Sequence, residues 1–385
     1  MKIVFITNII PHYRLSFYKK LCQNKDHEWL ILHGYPKKEN GRPAYEGSLP
    51  FNHQVIGIHE WKMGPYAIRW QKGLLKNINL YQPDLIIVLG IPGTISNWLA
   101  MIWAKLHRKK ILIWYGGWEA QHKRTVALHI KNMFMRIYYS FANHIFSYST
   151  KGYQYLQRLG VRENRITICY NGIETDGLEE KALVYSEKAE KLRSERGIVN
   201  QTLFLYVGGM LKEKKVDLLI KAFSTIARKY PAELWLVGDG PDINEFRELS
   251  NQLNGNHICF MGRIIEDIES YFKAADYFVL PGIGGLAINQ ALYWGLPCIV
   301  GEADGTEDDL VFDHRTGFRF CPGDVESLEA ALEKCMQLTP EKRKELGENG
   351  KELIRERSNV NEMVHHFIET INDCAQETKG QRPCE

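Results

Sequence analysis

An apolar run from Tyr277 to Leu280 stops at Pro281, passes through Gly282, Gly284 and Gly285, and resumes as a helical pattern from Leu286 to Gly295. This reads as strand, glycine turn and helix. In an open parallel sheet such a unit aims the helix N-terminus, with its unpaired N–H groups and partial positive charge, at the crevice beyond the carboxyl ends of the strands. Anionic phosphate suits that position. The same glycines would equally let a helix pack closely on its sheet. The motif is not isolated: Gly208-Gly209, Gly238-Asp239-Gly240, Gly262 and Pro281-Gly282 close four apolar runs in succession. Together they predict a crevice lined by backbone N–H groups.

A second set of reactive side chains lies nearer the N-terminus. Tyr13 and Arg14 follow the first apolar run, where an arginine would bind a phosphate or pair with an acid. Glu119 is the single acid among ten Lys/Arg between Met101 and Gly160. It would orient a substrate hydroxyl or serve as a structural ion-pair partner. The net charge of +3 hides an asymmetry: residues 1–175 carry 24 Lys+Arg against 9 Asp+Glu, and the remainder 25 against 37. A basic half attracts anionic lipid, nucleic acid or a phosphorylated substrate, or docks on an acidic half. Two stretches concentrate the charge, 95–110 and 122–142. The second interleaves Lys123, Arg124, Lys131 and Arg136 with Met133, Phe134, Met135, Tyr138 and Tyr139. That mixture suits a helix on a membrane surface, and the same spacing also suits a core helix.

The positioning elements follow from periodicity. Strand patterns at 2–7, 28–33, 53–56, 84–89, 110–114 and 143–148 alternate with helical stretches, which predicts a parallel sheet covered on both faces. Residues 34–50 form a long polar loop. Residues 176–200 are charged, lack an apolar strand and read as a linker with a charged helix. A second alternating series starts at Leu203. From about 324 the chain reads as consecutive helices. At 385 residues there is material for two domains. The expected boundaries are 1–175, a linker at 176–200, a second domain at 201–356, and a last helix and tail at 357–385 that could return to the first domain. The eight cysteines lack metal-ligand spacing, so reduced thiols in a cytoplasmic protein and no metal site are expected. The opening MKIVFITNII is too short to span a membrane and reads as a buried strand.

Taken in order, Tyr170-Asn171-Gly172-Ile173, VGGMLKEKKVDLLIKAF, ELWLVGDGP, CFMGRI, DYFVLPG, GLPCIV and Asp313-His314-Arg315-Thr316-Gly317 resemble the group 1 (family 4) glycosyltransferases. The opening NIIPHYRLSFYKKL is similar to members acting in surface polysaccharide assembly. The resemblance covers nearly the whole chain. It implies the GT-B fold, in which two facing Rossmann-like, doubly wound domains enclose a cleft. It further implies a nucleotide diphosphate sugar as donor and retention at the anomeric carbon. On this basis Lys214 and Glu119 are the catalytic candidates. The donor would lie against Gly208, Gly209, Lys214, Gly238, Gly262, Arg263, Ile264, Gly284, Gly285, Leu286, Asn289 and Gln290, and the acceptor against Tyr13 and Arg14. No Asp-x-Asp occurs, so the leaving diphosphate would be stabilised by cations and helix N-termini without a metal or other cofactor.

The departures from the family pattern are as specific as the matches. The family's two glutamates correspond to Gly282 and Gln290, its arginine before the lysine to Gly209, and its histidine after the strand at 110–114 to the Trp114–Glu119 stretch. Gln290 keeps hydrogen bonding without charge, and Gly209 removes a cation. The expected function is transfer of a sugar to a lipid-linked saccharide acceptor in bacterial surface polysaccharide synthesis. The expected place is the cytoplasm, with peripheral contact to the inner face of the cell membrane. A sugar-nucleotide epimerase of the same fold and a non-catalytic binding subunit remain open; the basic region carries no nucleic-acid motif.

Overall fold

In strand β1 (Lys2–Ile6) alternate side chains enter opposite layers, as the period-2 geometry of a strand requires. Ile3 and Phe5 join Phe17 and Leu21 of helix Leu15–Gln23, while Val4 and Ile6 join Ile78 of helix Leu74–Tyr81 and Met101 of helix Ile95–Leu106. A sheet buried on both faces therefore reads as a continuous apolar run. The computed structural model describes residues 1–34, 44–63, 66–117, 126–302 and 305–379.

The chain divides into two compact units, Met1–Tyr170 with Val360–Glu385, and Asn171–Asn359. The first contains β1, β2 (Glu28–His33), β3 (His53–Val55), β4 (Gly57–Met63), β5 (Tyr66–Lys72), β6 (Leu85–Leu89), β7 (Lys110–Tyr115), β8 (His144–Ser147) and β9 (Ile166–Ile168). Its main sheet runs β3-β2-β1-β6-β7-β8-β9, with every pairing parallel. Strands β4 and β5 form a separate antiparallel hairpin, and neither they nor β9 are among the strands expected from the pattern. Residues 35–43 of the expected polar loop, and the start of the expected helix at 122–142, lie outside the described residues. The observed helix there is Val126–Ser140.

The last helix, Val360–Lys379, packs in the first unit. Phe367 is fully buried, stacked on Phe146 at 3.9 Å between centroids and set edge-on to Phe17 at 5.1 Å. Truncating such a side chain costs about 3–5 kcal/mol, so this helix contributes to the stability of the unit.

The second unit holds β10 (Thr202–Val207), β11 (Ala232–Val237), β12 (Ile258–Gly262), β13 (Tyr277–Leu280), β14 (Cys298–Val300) and β15 (Gly317–Arg319). Their order is β12-β11-β10-β13-β14-β15, again all parallel. The charged stretch after residue 176 carries helix Ala182–Glu195, whose Arg193 donates to the Ala274 carbonyl at 2.8 Å and pairs with Asp276 at 3.3 Å. Where the chain enters and leaves this unit, Ile173 forms a parallel bridge with Asn359. A Cβ on Gly172 would lie 2.5 Å from the Asn359 backbone, which accounts for a glycine at that close approach.

Candidate functional site

In the second sheet the strand order reverses between β10 and β13, and the loops leaving these two strands flank the reversal. Ligands of open α/β sheets bind outside the carboxyl ends of the strands at such a switch point. The β10 loop carries Gly208, Gly209 and Lys214; the β13 loop carries Gly282, Gly284, Gly285 and Leu286. Lys214 joins the two loops directly, because its ammonium donates to the carbonyls of Ile283 at 2.7 Å and Gly284 at 3.1 Å. Lys215 follows in the left-handed region at φ 55° and starts helix Val216–Lys229.

Gly282 makes this contact geometrically feasible. A Cβ there would lie 2.6 Å from the carbonyl oxygen of Glu213 and from the carbonyl carbon of Lys214, inside any real contact distance. The glycine that replaces the family's first glutamate is therefore locked in by backbone on the neighbouring loop. Gly209 is different. A Cβ there meets the Leu211 side chain at 3.5 Å and the Asp239 carbonyl oxygen at 4.0 Å, both ordinary contacts, so the missing arginine leaves room.

The remaining glycines supply close approach more than free donors. A Cβ on Gly238 would strike the Gly208 carbonyl at 1.8 Å. The N–H of Gly208 donates to the Val237 carbonyl at 3.0 Å, and that of Gly238 to the Gly262 carbonyl at 2.8 Å. The expected lining of N–H groups is corrected at these two positions, where the sheet's own ladder consumes them. Around Gly285 and Gly262 there is open space, with nothing within 4 Å of an added Cβ. Gly262 sits at φ 72°, a conformation that favours glycine.

Gln290, half-buried, lies on the short helix Ala287–Tyr293, to which Leu286 is the N-cap. Asn289 on the same helix is fully buried, and its amide donates to the Asn171 carbonyl at 2.9 Å. Its observed place is structural: it ties the helix to the segment by which the chain enters the unit. Arg263 is exposed just after β12, and Ile264 packs against the core. Glu119 lies outside the described residues.

The first unit has its own switch point, between β1 and β6, and a cavity of about 220 Å³ opens there. Thr7 and Asn8 at the end of β1, Leu89 of β6, Trp114 of β7 and Tyr148 after β8 line it, together with Tyr13, Arg14 and Arg69. The two arginines are 6% and 7% exposed. The Arg14 guanidinium lies 5.0 Å from the Trp114 ring and 5.4 Å from the Tyr148 ring, and donates to the Met363 sulfur at 3.5 Å. Tyr13 remains 42% exposed beside it. Arg69 comes from β5, and Glu60 of β4 accepts from its Nε at 2.9 Å. A buried amide bond holds the hairpin in place, with Gln71 donating to Asn8 at 3.0 Å. Tyr13 and Arg14 of this lining stood out in the sequence; Arg69 did not. The available signal was Gly64-Pro65 between two runs rich in strand formers, a hairpin punctuation.

The helix Val126–Ser140 is split by side. Tyr138 and Tyr139 are fully buried, whereas Ile130, Met133, Phe134 and Ile137 are each 46–55% exposed, with exposed Lys131 and Arg136 among them. No helix among the described residues is long and apolar enough to cross a membrane.

Comparison with known proteins accords with this architecture. Residues 188–353 match the model for glycosyl transferases group 1, and residues 21–176 match that for glycosyltransferase family 4. An uncharacterized glycosyltransferase of Methanocaldococcus jannaschii is 24% identical over 303 residues, covering 75% of each chain. The lipopolysaccharide 1,6-galactosyltransferase of Escherichia coli is 23% identical over 280 residues, covering 68% of each. The solved structure of Anabaena HepE in complex with UDP and glucose superposes with a TM-score of 0.68 at 18% identity, covering 97% of this chain and 100% of that one. Two parallel α/β units, matching family models over most of the length, and GT-B structural neighbours lead to one assignment: the chain is a glycosyltransferase of group 1, family 4, with the GT-B fold.

Proposed function

We infer that this protein is a metal-independent, retaining glycosyltransferase that moves a sugar from a nucleotide diphosphate donor to a lipid-linked saccharide in surface polysaccharide synthesis. The observation that carries the donor half is Lys214 at the β10/β13 switch point, bonded to the carbonyls of Ile283 and Gly284. In the reaction the bond from the anomeric carbon to the diphosphate breaks and a bond to the acceptor hydroxyl forms. Negative charge grows on the departing oxygen. An ammonium already placed at the switch point would exchange carbonyl partners for that oxygen and stabilise it. Open space at Gly285 and Gly262 leaves room for the donor beside the lysine. The UDP and glucose bound by HepE, and the polysaccharide role in the name of the Escherichia coli relative, support the donor class and the pathway.

The exposed stripe Ile130, Met133, Phe134, Ile137, flanked by Lys131 and Arg136, supports peripheral binding to an anionic membrane, where a lipid-linked acceptor resides. The assay for the central reading is a thermal-shift screen against UDP, GDP, CDP, ADP and dTDP sugars with EDTA present, followed by transfer assays with the stabilising donor. A rise with one donor class and acceptor-dependent release of its nucleoside diphosphate are expected. Donor conversion without acceptor would favour an epimerase. Binding without any turnover would favour a non-catalytic subunit.

A further inference from the structure

Helix Ala287–Tyr293 packs as an apolar element, with Ile288, Ala291 and Leu292 buried. Leu292 lies against helix Pro340–Arg357 at Gly350, where a Cβ would come within 2.6 Å of it. Asn289 breaks that pattern. It is fully buried, and its Oδ1 has no hydrogen-bond partner among the described residues. A buried acceptor without a donor is destabilising, and an apolar side chain of the same size would avoid it. Packing of the helix therefore does not account for an asparagine here. The bond from its Nδ2 to the Asn171 carbonyl, at 2.9 Å, does.

That carbonyl belongs to the backbone by which the chain changes unit. The chain passes between the units at Tyr170–Asn171 and again at Asn359–Val360, and the two passages are paired. Ile173 donates to the Ser358 carbonyl at 3.3 Å, and the Asn359 amide donates to the carbonyls of Ile354 at 3.2 Å and Arg355 at 2.9 Å. Any movement of one unit against the other passes through this backbone. At its opposite end the helix continues from the glycine turn whose Ile283 and Gly284 carbonyls accept from Lys214. With seven residues and no side-chain cap at Leu286, the helix spans about 10 Å and moves as one piece.

We propose that Asn289 is a positioning residue that couples occupancy of the glycine turn to the paired backbone at 171–173 and 358–359. When a diphosphate draws Lys214 away from the two carbonyls, the turn and the helix shift together, and Asn289 carries the shift to Asn171. Coupling between sites travels through packed side chains, hydrogen bonds and rigid elements, and this helix supplies all three. The occupant of the turn rests on the donor reading above. The link from the turn to the crossing rests on the helix and its bond.

The test is amide hydrogen exchange of the full chain, alone and with saturating UDP or inorganic pyrophosphate, read by mass spectrometry over peptides covering 282–287 and 171–174. In the parent at least one probe should change the exchange rate at both segments by about threefold or more, since exchange reports local opening of each segment separately. Asn289→Leu keeps the volume and removes the donor; Asn289→Ala guards against strain from the larger side chain. In either folded variant the response at 282–287 should persist and the response at 171–174 should be lost. A purely structural asparagine would lower Tm and leave both responses in place, which overturns the proposal. A parent that responds at 282–287 and not at 171–174 overturns it without any variant and leaves the donor reading standing. No response at 282–287 to either probe removes the donor reading of the turn, and this inference with it.

Discussion

Gly282 and Gly209 replace charged residues of the family, yet the structure gives them opposite tolerance, and this contrast can be measured. In Gly282→Ala the new Cβ would lie 2.6 Å from backbone atoms of Glu213 and Lys214, and ordinary contact begins at 3.4 Å. No side-chain rotation relieves a clash with backbone, so the 213–214 segment must retreat by roughly 0.8 Å. Overpacking of this kind costs about 1–3 kcal/mol. For a unit of this length that corresponds to a fall in Tm of roughly 2–12 °C. The same retreat carries the Lys214 ammonium away from Ile283 and Gly284, and a misplacement near 1 Å costs up to about 100-fold in turnover. In Gly209→Ala the Cβ meets Leu211 at 3.5 Å, and Gly209 is not in the left-handed region, so the variant should match the parent or gain about 0.4–1 kcal/mol. Calorimetric Tm and kcat/KM for the pair decide the matter. A Gly282→Ala protein as stable and active as the parent, or a Gly209→Ala protein that loses as much as Gly282→Ala, refutes the reasoning.

Lys214→Ala should reduce transfer by on the order of 100-fold through loss of diphosphate charge, and near-normal turnover would remove Lys214 from the mechanism. Burial, and secondarily the charge of His53 at 3.1 Å, lower the His33 pKa to about 4. The folded state then refuses a proton that the unfolded chain accepts from about pH 6.5 downward, so its stability is complete above 6.5 and falls as the pH drops towards 4. The loss amounts to roughly 3 kcal/mol by pH 4. Urea melts of His33→Gln should show a flatter pH profile than the parent, and an identical profile would contradict the assignment. The parent should sediment with anionic vesicles and be released by salt, whereas Ile130→Glu with Phe134→Glu should stay in solution. Equal binding of that double variant would move the membrane surface elsewhere.

Composition and periodicity determined much of this protein without reference to tertiary contacts. Strands buried on both faces announce themselves as apolar runs, so β1, β2, β6, β7 and the second series from β10 were legible, as were Lys214, the glycine turn and Arg14 beside Tyr13. The hairpin β4–β5 was not legible, because exposed residues stand on both of its faces, Trp61 and Trp70 on one and Lys62 on the other, in place of a clean alternation of apolar and polar positions. Tertiary structure alone distinguished the glycines. A letter G is identical at 209, 238 and 282, but the partner that would meet a Cβ is a flexible leucine in the first case and backbone in the other two. It likewise tied Asn289, a donor-contact candidate by resemblance, to the Asn171 carbonyl, and placed Arg69 beside Arg14, 55 residues away in the chain. Local patterns record which face of an element is buried, since burial acts on every turn or pleat. Which distant backbone or guanidinium faces a given residue depends on how the strands are ordered in the sheet, and no local pattern carries that order.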